Sequence, residues 1–234
     1  MNEEHEEHIA HEELNKKLCD PELRAEYARA YDDYRPGFVP RLLGSLFIHS
    51  GNLLYGKRPS YQKFKAIEVI ARIPYQSWEV ASYTLLTWFY SNEQRAIELA
   101  KTSAFSRMAQ DNETLHVVVI SQIVKRLKCE SFIRHTMVPF IFATFYALSV
   151  WVLYMVSRRA ALELNFMFES HAFEQYQQFL DEHEARLRIT PFTSDFLDFY
   201  GRHAKSEWEL FESIRNDELI HRNRSIRELQ AHAR

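Results

Sequence analysis

Residues 111–116 read DNETLH and run into VVVI; residues 216–221, near the C-terminus, read NDELIH. Each places a glutamate three residues before a histidine: Glu113 with His116, and Glu218 with His221. Residues three apart on a helix share a face, so each pair can present one carboxylate and one imidazole to a common point. With 11 His and 24 Glu in 234 residues, chance alone gives about one such pair. The two pairs gain their meaning from what stands between and before them.

A bundle site for two metal ions needs two further carboxylates, one from each of two other helices. Glu68 in KAIEVIARIP and Glu169 in LNFMFESHAF are candidates, since both follow large apolar residues. A lone carboxylate there is costly to bury unless paired or metal-bound; taken singly, either could sit on a solvated helix edge. In order they read Glu, Glu-x-x-His, Glu, Glu-x-x-His. The separations of 45, 56 and 49 residues each let the chain run out along one helix, turn, and return at the same height. An unbroken helix from Ile133 to Glu169 would be about 54 Å long, against about 21 Å from Glu113 to Leu127. A break near Ser157 is therefore required, and residues 137–156 form an element of their own.

Composition agrees with helices. There are only 5 Gly and 7 Pro beside 46% hydrophobic and 26% charged residues, which disfavours many short strands. A net charge of -3 gives no reason to expect a nucleic-acid partner. Cys19 and Cys129 are too few for a disulfide framework and are not spaced as metal ligands; both read as reduced thiols, with a redox role for Cys19 the minor alternative. The acidic, His-rich start, MNEEHEEHIAHEELNKK, lacks the pattern of a secretory or transit peptide. His5, His8 and His11 could bind metal loosely, but a solvated, partly mobile leader over residues 1–36 is expected, followed by one domain over 37–234.

Within that domain, 39–55 reads as a short helix with a wide apolar face. Behind it GKRPSYQKFK carries Lys57, Arg58, Lys63 and Lys65. This pairing suits an anionic membrane surface or, equally, a core helix with a solvated basic edge. Helical patterns follow over 61–90, kinked by Pro74, and over 93–127, capped by Asn92 and broken near 102–103. Residues 137–156 hold no charge in 20 positions, long enough to span a membrane; the segment could instead lie on one or pack in a dimer interface. A helix then runs through residue 184, and a last one over 194–230, with Gly201 a possible break.

IEVIARIP resembles the LETVAxVP stretch of alternative oxidases, DNETLH their NERMH, FESHAFEQY their LEEEAxxTY and RNDELIH their RADEAHH. The likeness covers residues 37–226. It implies an all-α, ferritin-like four-helix bundle with two additional apolar membrane-surface helices, 39–55 and 137–156, held in one leaflet, and a homodimer. It implies two iron ions bound by Glu68, Glu113, His116, Glu169, Glu218 and His221, with Glu113 and Glu218, or their neighbours, as bridges. Tyr176 matches a tyrosine needed close to the irons, and Asn112 and Asp217 match residues that orient the ligands. The resemblance departs at the substrate pocket. Ser170 and His171 replace two glutamates of a run of three, Gln175 stands for a threonine, and Lys63 for an arginine at the pocket mouth; Ile67 lies beside them.

The expected function is a membrane-associated, monotopic di-iron oxidase. It would couple oxidation of a lipophilic reductant, a quinol, to four-electron reduction of O₂ to water without proton pumping. The cytoplasmic face of a bacterial inner membrane, or an organelle membrane in a eukaryote, is the expected location. The altered pocket supports an alternative: a di-iron monooxygenase or desaturase acting on another lipophilic molecule. Iron handling by a ferritin-like bundle is opposed by the apolar segments, and a bundle whose Glu and His merely pair would hold no iron.

Overall fold

The computed structural model describes residues 3–231, with side chains from His5 to Gln230; residues 1–2 of the expected leader and 232–234 of the expected domain lie outside them. Among the described residues there are helices and no strands. They are α1 (Glu3–Lys17), α2 (Pro21–Arg29), α3 (Phe38–Tyr55), α4 (Tyr61–Ala71), α5 (Ile73–Phe89), α6 (Glu93–Arg126), α7 (Val138–Val156), α8 (Arg158–Ile189), α9 (Asp195–Phe199) and α10 (Glu207–Ala231). A single π-helical turn, Ile133–Met137, leads into α7.

The breaks have local causes. Pro74 cannot donate to the carbonyl four residues back, so the 61–90 pattern divides at Arg72 into α4 and α5. The break required near Ser157 is present: Ser157 is extended, and its side chain caps α8 by accepting from the Ala160 amide. Gly201, at φ +71°, separates α9 from α10, a conformation that L side chains rarely adopt. The break expected near 102–103 does not occur, and α6 is continuous for 34 residues. Thr102 donates its hydroxyl to the Glu98 carbonyl and accepts from Arg158, so it is satisfied within the helix. Helix α8 also outruns the expected end at 184, reaching Ile189 with Arg188 paired to Glu184.

The bundle consists of α4–α5, α6, α8 and α10, with α8 packed along α10 and α6 against α4 and α5. Two apolar cores lie at different heights. One gathers Phe64, Leu115, Val119, Phe179 and Phe211; the other gathers Trp78, Phe105, Met108, Tyr154 and Leu162. The polar side chains described below sit between them.

Helix α3 lies along α8, close enough that a Cβ on Gly44 would stand 2.9 Å from the Met167 methyl. Its outer side exposes Phe38, Leu42, Leu46 and Leu53, and α7 exposes Phe140, Phe145, Leu148 and Val152. The two helices meet through Phe47 and Tyr146. Residues 133–156 are apolar and long enough to cross a membrane, yet only 22% of the most apolar window is buried. Of the four expected basic side chains, only Lys57 and Arg58 face solvent. Lys63 turns inward to Asn52 and Gln175, and Lys65 to Glu130.

The expectation of a solvated leader fails for α1. His11, Asn15 and Leu18 are buried, and α1 packs on α6 and α10. The docking face mixes His11 and Asn15 with Leu14 and Leu18, which pack on Leu219 and Ile220, and two leucines make too short a stripe to announce it.

Candidate metal centre

Glu68 comes from α4, Glu113 and His116 from α6, Glu169 from α8, and Glu218 and His221 from α10. All six are buried, with His116, His221, Glu113 and Glu218 wholly so. They form two overlapping groups of ligand atoms, each lying within 4.8 Å of one another: Glu68, Glu113, His116 and Glu218, and Glu113, Glu169, Glu218 and His221. Glu113 and Glu218 belong to both. The i, i+3 spacing on α6 and α10 does what helical geometry requires, turning carboxylate and imidazole to one side.

The contacts within the cluster are close but badly directed for hydrogen bonds. His221 Nδ1 lies 2.8 Å from Glu113 Oε1, yet both atoms lack a hydrogen-bond partner. His116 Nδ1 lies 3.2 Å from Glu218 and 3.5 Å from Glu68 and Glu113, and it too is unpartnered, as are both Glu218 oxygens. So many buried, unpaired polar atoms would be costly in a protein that used them only for itself.

Charge points the same way. Burial, reinforced by Glu113, Glu169 and Glu68, pushes the Glu218 carboxyl well up. Burial raises Glu68 to about 7 against the pull of His116, and raises Glu169. At Glu113 burial acts upward but is outweighed by His116 and His221, which hold it low. Four carboxylates confined together cannot all ionise without added positive charge. Two divalent cations would supply it. Carboxylate and imidazole donors with no thiol suit iron or manganese rather than a thiolate zinc site, and Cys19 and Cys129 belong to neither group.

Asp217 is the hub behind the ligands. It accepts from Arg202 through both oxygens, at 2.5 and 2.9 Å, and from Asn15 at 2.6 Å. His11 Nε2 lies 2.7 Å from its Oδ1 and His116 Nε2 3.0 Å from its Oδ2. Burial would raise its pKa, but Arg202, with His11 and His116, holds the carboxyl well below the usual range. An ionised Asp217 accepts a hydrogen bond from His116 Nε2 and so turns Nδ1 to the cluster, where it would bind a metal ion in place of its proton. Asn112, the other residue expected to orient ligands, is buried and lines a small cleft with His11 and Arg202. Among the described residues no hydrogen bond joins it to a ligand residue, and its Oδ1 is unpartnered.

Tyr176 donates its hydroxyl to Glu68 and stacks on Phe64, with ring centroids 4.1 Å apart. The sequence reading missed the equivalent on the other side. Tyr75 donates to Glu169 at 2.6 Å, and Asn165 donates to both Tyr75 and Glu169. It also missed Asn15 and Arg202, and offered His11 only as a loose metal ligand rather than as a partner of Asp217. Asn165 was findable, standing one helical turn before Glu169 on the same face.

An apolar cavity of about 120 Å³ opens beside the cluster. Its wall includes Phe47, Leu54 and Phe142 from α3 and α7, and it reaches Glu68, Glu169 and Tyr176. Ile67, His171 and Gln175, expected pocket residues, line it. Lys63 stands behind the wall, donating to Gln175 at 2.6 Å and Asn52 at 2.8 Å; burial lowers its pKa to about 8. Burial, and then Lys63, lower His171, which favours the neutral imidazole.

The family model for alternative oxidase matches residues 41–229, and the chain belongs to that family. Membership implies a helical di-iron carboxylate protein, membrane-associated, in a family that in general oxidises quinol with O₂. No curated protein and no solved structure matches the chain.

Proposed function

We propose that this member of the alternative oxidase family binds two iron ions and couples oxidation of a quinol to reduction of O₂ to water, without pumping protons. Glu68, Glu113, His116 and Glu218 would hold one ion, and Glu113, Glu169, Glu218 and His221 the other. When bound, the ions supply the O₂-binding and electron-accepting chemistry that side chains lack. The observation that carries the reading is the apolar cavity. It runs between two helices with exposed apolar faces and ends on Glu68, Glu169 and Tyr176. A lipophilic reductant partitioned into a membrane would enter there, and no water-soluble substrate needs such a path.

The chain's own residues do the rest. The cavity wall excludes bulk water. Tyr176 holds its phenolic proton on Glu68, within reach of a reductant seated between Ile67 and Gln175. Asp217 keeps His116 turned toward its ion. Helices α3 and α7 would lie in one leaflet, with Lys57 and Arg58 at the anionic surface, and a second copy would complete the homodimer. The test is O₂ uptake by purified, iron-loaded protein given a short-chain quinol, with Glu218→Ala as control. Uptake abolished by the substitution is expected; no uptake by protein holding two irons per chain refutes quinol as the reductant.

A second reading is favoured by two polar side chains in the otherwise apolar wall. His171, and Gln175 braced from behind by Lys63, suit a different lipophilic substrate, oxygenated or desaturated at the same metals. Label from ¹⁸O₂ in an organic product would establish a monooxygenase, whereas label in water alone supports the oxidase.

A further inference from the structure

Glu68 belongs to only one of the two ligand groups and Glu169 only to the other. Each accepts a hydrogen bond from a buried tyrosine, Glu68 from Tyr176 and Glu169 from Tyr75. The Tyr75 ring is fully enclosed, 5.3 Å from the His221 ring. Asn165 lies 2.9 Å from its hydroxyl and 3.0 Å from the same Glu169 oxygen, pinning the pair. We propose that Tyr75 is a second redox tyrosine of the O₂ reaction, giving one electron to the metal pair and its phenolic proton to Glu169. The inference rests on the oxidase reading above.

The balance closes. Reduction of O₂ to two waters takes four electrons and four protons. When bound, two ferrous ions would supply two electrons, and Tyr176 and Tyr75 one each. Their protons pass to Glu68 and Glu169 and on to the reduced oxygen, and the other two protons come from solvent. Two quinol molecules then return four electrons and four protons, two of the protons to the tyrosines and two to solvent.

Geometry also explains why the oxidation stops at Tyr75. Trp78 lies 5.2 Å from Tyr75, and Tyr154 6.0 Å from Trp78, centroid to centroid. Both are buried, and neither the Trp78 indole nitrogen nor the Tyr154 hydroxyl has a hydrogen-bond partner. A phenol that gives up an electron must shed its proton to an acceptor within hydrogen-bond reach, and an indole that keeps its proton is harder to oxidise than a phenol that passes its proton on. Tyr75 and Tyr176 have an acceptor; Trp78 and Tyr154 do not.

The experiment uses the full-length ferrous protein, mixed with O₂ without organic reductant and freeze-quenched for electron paramagnetic resonance, with iron and consumed O₂ counted. Wild type is expected to form tyrosyl radicals from two sites. Tyr75→Phe and Tyr176→Phe should each keep one, with different ring-proton splittings, and the double variant none. A radical lost entirely in Tyr176→Phe overturns the inference, as does a Tyr75→Phe yield equal to wild type or O₂ consumed with no radical in any protein. Tyr176→Phe leaves Tyr75 in place, so it decides the matter even if Tyr75→Phe loses iron. Iron-loaded protein that consumes no O₂ would instead overturn the oxidase reading, and this inference with it.

Discussion

Asp217→Asn tests the support of the centre most directly. The carboxylate has no exposed surface and five donor atoms converge on it: two from Arg202 and one each from Asn15, His11 and His116. Asparagine keeps the shape but removes the charge and turns an amide toward those donors. Arg202, itself 7% exposed, then keeps Glu12 alone as a counter-charge among the described residues. Breaking a buried ion pair by removing one partner costs about 3–5 kcal/mol. His11→Ala removes one hydrogen bond to a charged acceptor, about 1.5–3 kcal/mol, and leaves the Arg202 pair intact. Denaturant unfolding of metal-free protein should therefore rank Asp217→Asn below His11→Ala, and both below wild type. Because the folded-state pKa of Asp217 is depressed, its stabilisation is present above the unfolded value near 3.9 and is lost as pH falls below it. The gap between wild type and Asp217→Asn should begin to narrow below about pH 4 and close only as pH falls through the depressed folded value.

The same variant should weaken metal binding. A histidine ligand that loses the partner of its other nitrogen typically costs about 10- to 100-fold in affinity. Cobalt(II) titration, followed by the visible spectrum, reads this without requiring turnover. Equal destabilisation by the two substitutions would show that Arg202 escapes to solvent. Full destabilisation with unchanged cobalt affinity would show that His116 needs no help from Asp217. Either result would refute the reasoning.

Other consequences follow from the cavity, the membrane face and Lys63. Gly51→Trp places an indole in the cavity wall from α3, a helix that carries none of the six clustered residues, so quinol-dependent O₂ uptake should fall at least 10-fold while iron content stays at wild type; loss of iron would mean that the residue supports the fold instead. Leu46→Glu with Phe145→Glu removes two exposed apolar side chains, which should weaken flotation with anionic vesicles by about two orders of magnitude or more; unchanged flotation would place the membrane contact elsewhere. Lys63 has a folded pKa of about 8, below its ordinary 10.5. The unfolded chain therefore binds more protons between those values, and stability should rise with pH across that window. Lys63→Met should flatten that rise, and an identical slope in both proteins would show that Lys63 is freely solvated.

The bundle was legible because its clustered carboxylates stand in apolar surroundings, where helical periodicity and burial cost leave few alternatives. Glu68 among isoleucines and Glu169 after FMF are examples. The break at Ser157 was legible from length alone, since an unbroken helix would have carried Glu169 past Glu113. What escaped was α1, whose docked face is His11, Asn15 and Leu18. Burial there rests on a small apolar cluster around Leu18 and, for its polar residues, on one carboxylate about 200 residues away, and no local pattern encodes that. Tyr75 escaped for a related reason. It sits just past the break at Arg72, and its partner Glu169 lies on another helix. The partners missed, His11, Asn15, Arg202, Tyr75 and Asn165, each end on Asp217 or Glu169. Ligand residues can be read along one helix because their spacing is a property of that helix. The groups that hold them are chosen mostly across helices, by the one donor or acceptor a buried neighbour still needs. A sequence reading should therefore ask, for every buried carboxylate it proposes, which polar residues on packing elements could reach it. Asked of Asp217, that question would have pointed to the polar side chains of α1.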